Sequence, residues 1–172
     1  MPVIAMSPDL ATRGNEIAAA LAAQLKIAVI DHEGVEHDIA ERAHISEERV
    51  HRLLEGGATM WERWSLDRQR LGRQTSLEIL ELAARGNVVI RAWGAPQILQ
   101  DVAHVVAVRT CAPMASRIAT LMRRLGLDKP SMARREIERS DTAHDDMMRR
   151  LFGVEWGDPT IYAIMLNTAR IS

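Results

Sequence analysis

The chain has 172 residues, enough for one domain with a full hydrophobic core and short for two. Apolar residues at 47% and charged residues at 26% exclude a disordered chain, and a net charge of -1 excludes the global basic field of a typical nucleic-acid binder, so any polyanion site must be local. The single cysteine, Cys111, excludes an internal disulfide and fits a reducing cytoplasm; neither a signal peptide nor a run of eighteen apolar residues is visible, so a cytosolic protein is expected.

In chain order, "PVIAM" reads as a short buried strand, followed by a polar loop and by "NEIAAALAAQL", with apolar residues at helical spacing. "IAVID" reads as a second strand. The pattern then turns helical through "VEHDIAERAH" and "SEERVHRLLEGG", the latter with Ser46 as N-cap and paired glycines as its stop. A third helical stretch runs from about Trp61 to Ala84, with Gly72 as a break, and closes at Arg85-Gly86. Alternation returns with "NVVIRAW" as a strand, "APQILQDV" as a short helix, "HVVAVRT" as a strand and "APMASRIATLMRRLG" as a helix. Its apolar face fits burial better than a membrane surface. Pro130 opens a long charged helix, and "TIYAIMLNTA" reads as the last strand. Helices separating short, nearly all-apolar strands predict an α/β fold with a mostly parallel sheet buried on both faces.

The loop after the first strand poses the chemical question. A working phosphate-binding loop uses glycines to turn backbone N–H groups toward phosphate oxygens, a lysine as a point charge and a hydroxyl on magnesium, in the pattern GxxxxGK[ST]. That pattern is absent. What remains is a strand, a loop containing Gly14, and a helix N-terminus able to present N–H groups to an anion.

Four segments carry a family likeness: "ATRGNEIA", "GNVVIRAWGAPQIL", "AVRTCAPMASRIATLMRR" and "SDTAHDDMMRRLFGVEWGDPTIYAIMLNTA", the last with Trp156, Asp158, Pro159, Tyr162 and Asn167 in step. With them the chain resembles the cytidylate-kinase-like family of P-loop proteins over nearly its whole length, in which the corresponding features are a "GSGGREIA"-like loop, a "VIVGRGA..IL" segment, an arginine-bearing lid helix and a closing "D..R..Y......W.dP..YDL.iNt" pattern. The resemblance implies a P-loop kinase-like three-layer α/β/α domain over 1–172, with a helical insert at about 33–85 and a lid and following helix at about 112–152. It also implies transfer of a phosphoryl group from ATP with Mg2+ to a nucleotide or small phosphorylated molecule.

The match departs from the family where chemistry belongs. Ala11 and Arg13 stand at loop glycines; a nucleoside monophosphate kinase would carry its lysine at about Gly14 and its hydroxyl at about Glu16. A side chain at either former glycine is expected to restrict positive φ and crowd a phosphate, and Glu16 adds negative charge. Trp93 replaces the "GRG" arginine, His144 the arginine of "D..R", and Ala163 the aspartate of "YDL". Phosphoryl transfer consists largely of positioning and charge stabilisation, so an eroded site is expected. The resemblance puts Thr12, Arg13, Gly14, Asn15 and Trp93 at the nucleotide phosphates, Arg117, Arg123 and Arg124 at the transferring group, and Asp141 and Asp158 as candidate bases. Arg134, Arg135, Arg139, Arg149 and Arg150 also follow, on a face that Glu136, Glu138, Asp145 and Asp146 can pair at helical spacing.

Other constellations are weaker. "DIAERAHISEERVHRLLEGG" (38–57) has helix-turn-helix spacing, but its second helix would start with Ser46-Glu47-Glu48 against DNA phosphates. His32, Glu33, Glu36, His37, Asp38, Glu41 and His44 match neither HExxH nor HxxEH, and they read as surface groups, although His37, Glu41 and His44 share a helical face. Cys111 reads as a buried structural thiol and no GxSxG elbow is present. Trp61 and Trp64 fit core packing or a homodimer contact. Two readings therefore stand: a degenerate phosphotransferase, or an inactive kinase-like protein that binds or regulates through dimerisation or a protein partner. No membrane is implied.

Overall fold

The computed structural model describes residues 1–43, 46–48, 50, 67–92 and 94–171, without the side chains of 43 and 67–71. Strands β1 (Val3–Pro8), β2 (Ala28–Asp31), β3 (Val88–Arg91), β4 (Val105–Cys111) and β5 (Ile164–Asn167) form one sheet in the order β2-β3-β1-β4-β5, every neighbouring pair parallel. The helices are α1 (Gly14–Leu25), α2 (His32–Ala43), α3 (Asp67–Arg85), α4 (Ala95–Ile98), α5 (Met114–Leu125) and α6 (Pro130–Phe152), with a 3-10 turn at Pro159–Ile161.

Period-two side-chain alternation splits the apolar strands between two cores. Val3 and Ala5 of β1 with Val88 and Ile90 of β3 pack against Val35, Ile39 and Ala40 of α2 and Ile79, Leu82 and Ala83 of α3. Ile4, Met6, Val89 and Val108 on the other face meet Ala18 and Ala22 of α1. The result is the three-layer α/β/α arrangement expected for strands apolar on both faces. A third cluster joins Ala11 to Leu121 of α5 and Ala133 and Ile137 of α6.

One detail differs from the sequence expectation: Gly72 does not break α3, which runs unbroken through it. Its carbonyl accepts the Ser76 hydroxyl at 2.9 Å, and Ile79 and Leu82 anchor the helix by burial, enough to offset the propensity cost of one glycine. Half of the helix-turn-helix-like segment, together with His44, Trp61, Trp64 and Trp93, lies outside the described residues. No helix among the described residues is long and apolar enough to cross a membrane.

β1 sits between β3 and β4, so the chain passes to one side of it through α1 and β2 and to the other through α4 and β4. Parallel sheets bind ligands outside the carboxyl ends of their strands where the winding direction reverses. Ser7, Pro8, Arg91, Thr110 and Cys111 end their strands at that edge.

Candidate phosphate site at the carboxyl edge of the sheet

Residues 9–13 join β1 to α1, and their backbone keeps the shape that glycines would give. Ala11 has φ 64° and Arg13 φ 59°, both left-handed. Neither side chain prevents that conformation, contrary to the expectation from sequence. The Ala11 methyl is buried with Leu121 and Ile137 under α5 and α6, and the Arg13 side chain is exposed and forms no ion pair or hydrogen bond among the described residues. A non-glycine residue in this region costs on the order of 1 kcal/mol, so the surroundings must impose it.

The restraints are visible. The Asp9 N–H donates to the Thr110 carbonyl at 2.9 Å. The buried Thr12 hydroxyl donates to the Asp9 carbonyl at 2.6 Å and lies 2.8 Å from the Thr110 hydroxyl. Arg117 Nε donates to the Leu10 carbonyl at 2.8 Å. Two loop carbonyls are thus engaged within the protein. Arg13 caps α1 without a side-chain bond, so the first-turn amides of Gly14, Asn15 and Glu16 are free of a side-chain cap, a favourable setting for an anion.

Gly14 is required for another reason. A Cβ there would lie 2.4 Å from Pro8 Cβ and 3.0 Å from Thr110 Oγ1. The position at which a nucleoside monophosphate kinase would carry its lysine is therefore closed to any side chain on this backbone.

Behind the loop is a buried ionic network. Arg109 Nε donates to Asp9 Oδ1 at 2.9 Å, and its guanidinium lies 4.3 Å from the centre of the Trp156 ring. The Trp156 indole N–H donates to Ser7 Oγ at 2.8 Å, the Tyr162 hydroxyl donates to the Trp156 carbonyl at 3.1 Å, and His144 stacks on the indole at 4.5 Å. This is how Trp156, Tyr162 and His144 act: they clamp the end of β1. Burial raises the Asp9 carboxyl above its ordinary range, and the Arg109 hydrogen bond and the charges of Arg109 and Arg117 only partly oppose this.

Of the sequence candidates, Thr12, Arg13, Gly14, Asn15, Arg117 and Asp141 come together at the loop. Arg117 is buried and donates to both Asp141 oxygens, at 2.8 and 2.6 Å, so its charge is matched by a bidentate pair. Arg123 and Arg124 are exposed in the last turn of α5, about 9 Å farther along the helix axis from Arg117. Asp158 caps the 3-10 turn by accepting from the Thr160 N–H and hydroxyl at 2.8 and 2.7 Å, which lowers its carboxyl pKa. Arg134, Arg139 and Arg149 pair with Glu138, Glu136 and Asp145 along α6. Cys111 is half-buried at the end of β4. No group of three metal-binding side chains occurs among the described residues.

Sequence reasoning missed Asp9, Arg91 and Arg109. Their signal was available: each is a charged residue in or directly after an otherwise apolar parallel strand, at the ligand-facing end.

The sequence profile of the cytidylate kinase-like family matches residues 3–170. No curated protein sequence matches the chain. Among solved structures, an uncharacterized protein from Eubacterium ventriosum is similar with a TM-score of 0.74 at 16% identity, covering 98% of this chain and 92% of its own. Shikimate kinase from Bacteroides thetaiotaomicron follows with 0.58 at 16% identity over 99% and 89%. A gluconokinase from Sinorhizobium meliloti has 0.57 at 12% identity over 98% and 83%. At these identities the likeness establishes a shared P-loop kinase fold.

Proposed function

The chain belongs to the cytidylate kinase-like family, and on that premise we propose that it binds the phosphates of a nucleotide at the 9–15 loop, with weak residual phosphotransferase activity toward a small acceptor. The left-handed backbone at Ala11 and Arg13 carries this reading, because it keeps the turn into the uncapped N-terminus of α1 without the glycines that usually form it. The amides of Gly14 and Asn15 and the guanidinium of Arg13 would hold the phosphates of Mg-ATP, which supplies the phosphoryl group when bound. Helices α5 and α6 would act as the lid, with the acceptor between them and the helical insert. Arg117 and Asp141 are engaged with one another and would position the loop, leaving Arg123 and Arg124 to approach the phosphates on closure.

The closed lysine position favours a second reading, an inactive kinase-like protein that binds or regulates through dimerisation or a protein partner. Calorimetric titration with Mg-ATP, with CMP beside it, on the native chain and on Arg13→Ala addresses both readings. Micromolar ATP binding that disappears in the variant supports the phosphate site, and turnover of ATP in the presence of an acceptor separates the enzyme from the regulator. Absence of heat and of thermal stabilisation at millimolar nucleotide would exclude the first reading and leave the second.

A further inference from the structure

If the lysine position cannot carry a side chain, any cation serving the phosphates must come from elsewhere. Among the described residues, four arginines lie near the loop. Arg109 and Arg117 are occupied by Asp9 and Asp141 and by backbone carbonyls. Arg13 is exposed, on the loop itself. Arg91 differs from all three: it ends β3 and reaches over to the first turn of α1, where its NH1 donates to Asn15 Oδ1 at 2.8 Å.

Arg91 is under-neutralised. Its side chain is 14% exposed, and its one carboxylate partner is Asp31 Oδ2 at 3.3 Å, on a residue whose other oxygen accepts the Gly34 N–H. Its Nε is buried with no hydrogen-bond partner among the described residues. A guanidinium withdrawn this far from water is costly unless fully paired, and one long ion pair with one neutral amide is a poor match for five donors. A phosphate oxygen would supply the acceptor this set lacks. The Asn15 contact puts the guanidinium beside the uncapped amides of α1, where replacing a neutral acceptor with a phosphate oxygen gives a shorter and stronger charge-assisted bond.

We propose that Arg91 is the phosphate-binding cation of this site, releasing Asn15 and Asp31 to grip a polyphosphate seated at the N-terminus of α1. The inference rests on the reading of the loop as a phosphate site. Asp31 then acts as a competitor that stores the arginine when the site is empty.

The test is calorimetric titration of the full chain with Mg-ATP and, separately, with inorganic tripolyphosphate, which carries phosphates without a base. Arg91→Gln should weaken both by about tenfold or more, Arg91→Lys should fall between the variant and the native chain, and Asp31→Asn should tighten both. In the Arg91→Gln background Asp31→Asn should add nothing, whereas a carboxylate that merely repelled the anion through space would still tighten binding on removal. Native binding with an unchanged Arg91→Gln overturns the role of Arg91 and leaves the loop reading intact; no binding by the native chain overturns both. Should Arg91→Gln not fold, Asp31→Asn decides alone: unchanged or weaker affinity overturns the proposal.

Discussion

The two sides of the sheet edge are held by different forces. On the side of the 9–13 loop, Asp9, Arg109, Arg117, Trp156 and Tyr162 are buried and held by hydrogen bonds spanning up to 149 residues of sequence. On the opposite side, the described parts of the insert carry mostly exposed pairs, His37 with Glu47 at 2.7 Å and Arg42 with Glu81 at 3.1 Å, beside one from Arg42 to the buried Glu78 at 3.0 Å. Buried networks fix geometry because breaking one partner strands the other, whereas exposed pairs are screened and contribute little. The loop is thus preorganised by its surroundings even though its own sequence is poor in glycine, while the insert relies on the apolar contacts of Ile39, Ile79 and Leu82.

The sharpest way to break this contrast is at Asp9. Asp9→Ala leaves the buried Arg109 Nε–H without its acceptor and should destabilise the fold by about 3 kcal/mol, read from urea unfolding. It also carries a pH signature. Because burial raises the Asp9 carboxyl, the folded chain binds that proton more tightly than the unfolded chain. This contribution to stability is fully present below the unfolded value and is lost as pH rises through the raised one. The variant lacks it, so its deficit relative to the native chain should widen as pH is lowered from neutrality; a deficit that narrows would contradict the assignment.

Gly14→Ala comes next. Overpacking against Pro8 and Thr110 should cost about 1–3 kcal/mol, seen as a lower denaturation midpoint with the urea m-value unchanged. Arg13→Gly should act in the opposite direction on stability, raising it by roughly 0.5–1 kcal/mol through relief of the left-handed backbone, while weakening Mg-ATP in the same calorimetric assay. Stability and affinity moving apart at one residue would mark the strain as functional; both rising together would deny Arg13 any contact with phosphate. At the low end, Glu47→Gln should leave the thermal midpoint within the scatter of repeated scans, because its 2.7 Å pair with His37 is exposed on both sides.

The strands and most helices were legible because their apolar residues follow the period-two and helical patterns without interruption, as in "VVIR" and "MASRIATLMRRL". The family could be read from the closing motif around Trp156 and Tyr162, whose packing role emerges only in space. What could not be read was the loop conformation. Propensity places alanine and arginine outside left-handed φ, and at Ala11 and Arg13 tertiary hydrogen bonds from Thr110, Thr12 and Arg117 override it. The pairing of Arg117 with Asp141 was also hidden, since it joins two helices, whereas Arg134, Arg139 and Arg149 follow spacings countable along one helix.

The close approach of Gly14 to Pro8 also limits the histories open to this loop. A mutation restoring lysine at position 14 would meet the Pro8 ring before it could bind anything, so it would be selected against in this background whatever its catalytic benefit. Replacement of Pro8 has to come first, and alone it brings no lysine. The two substitutions are therefore epistatic, with the viable order running through position 8, and the present site is free to improve chiefly through cations that arrive from other elements of the fold.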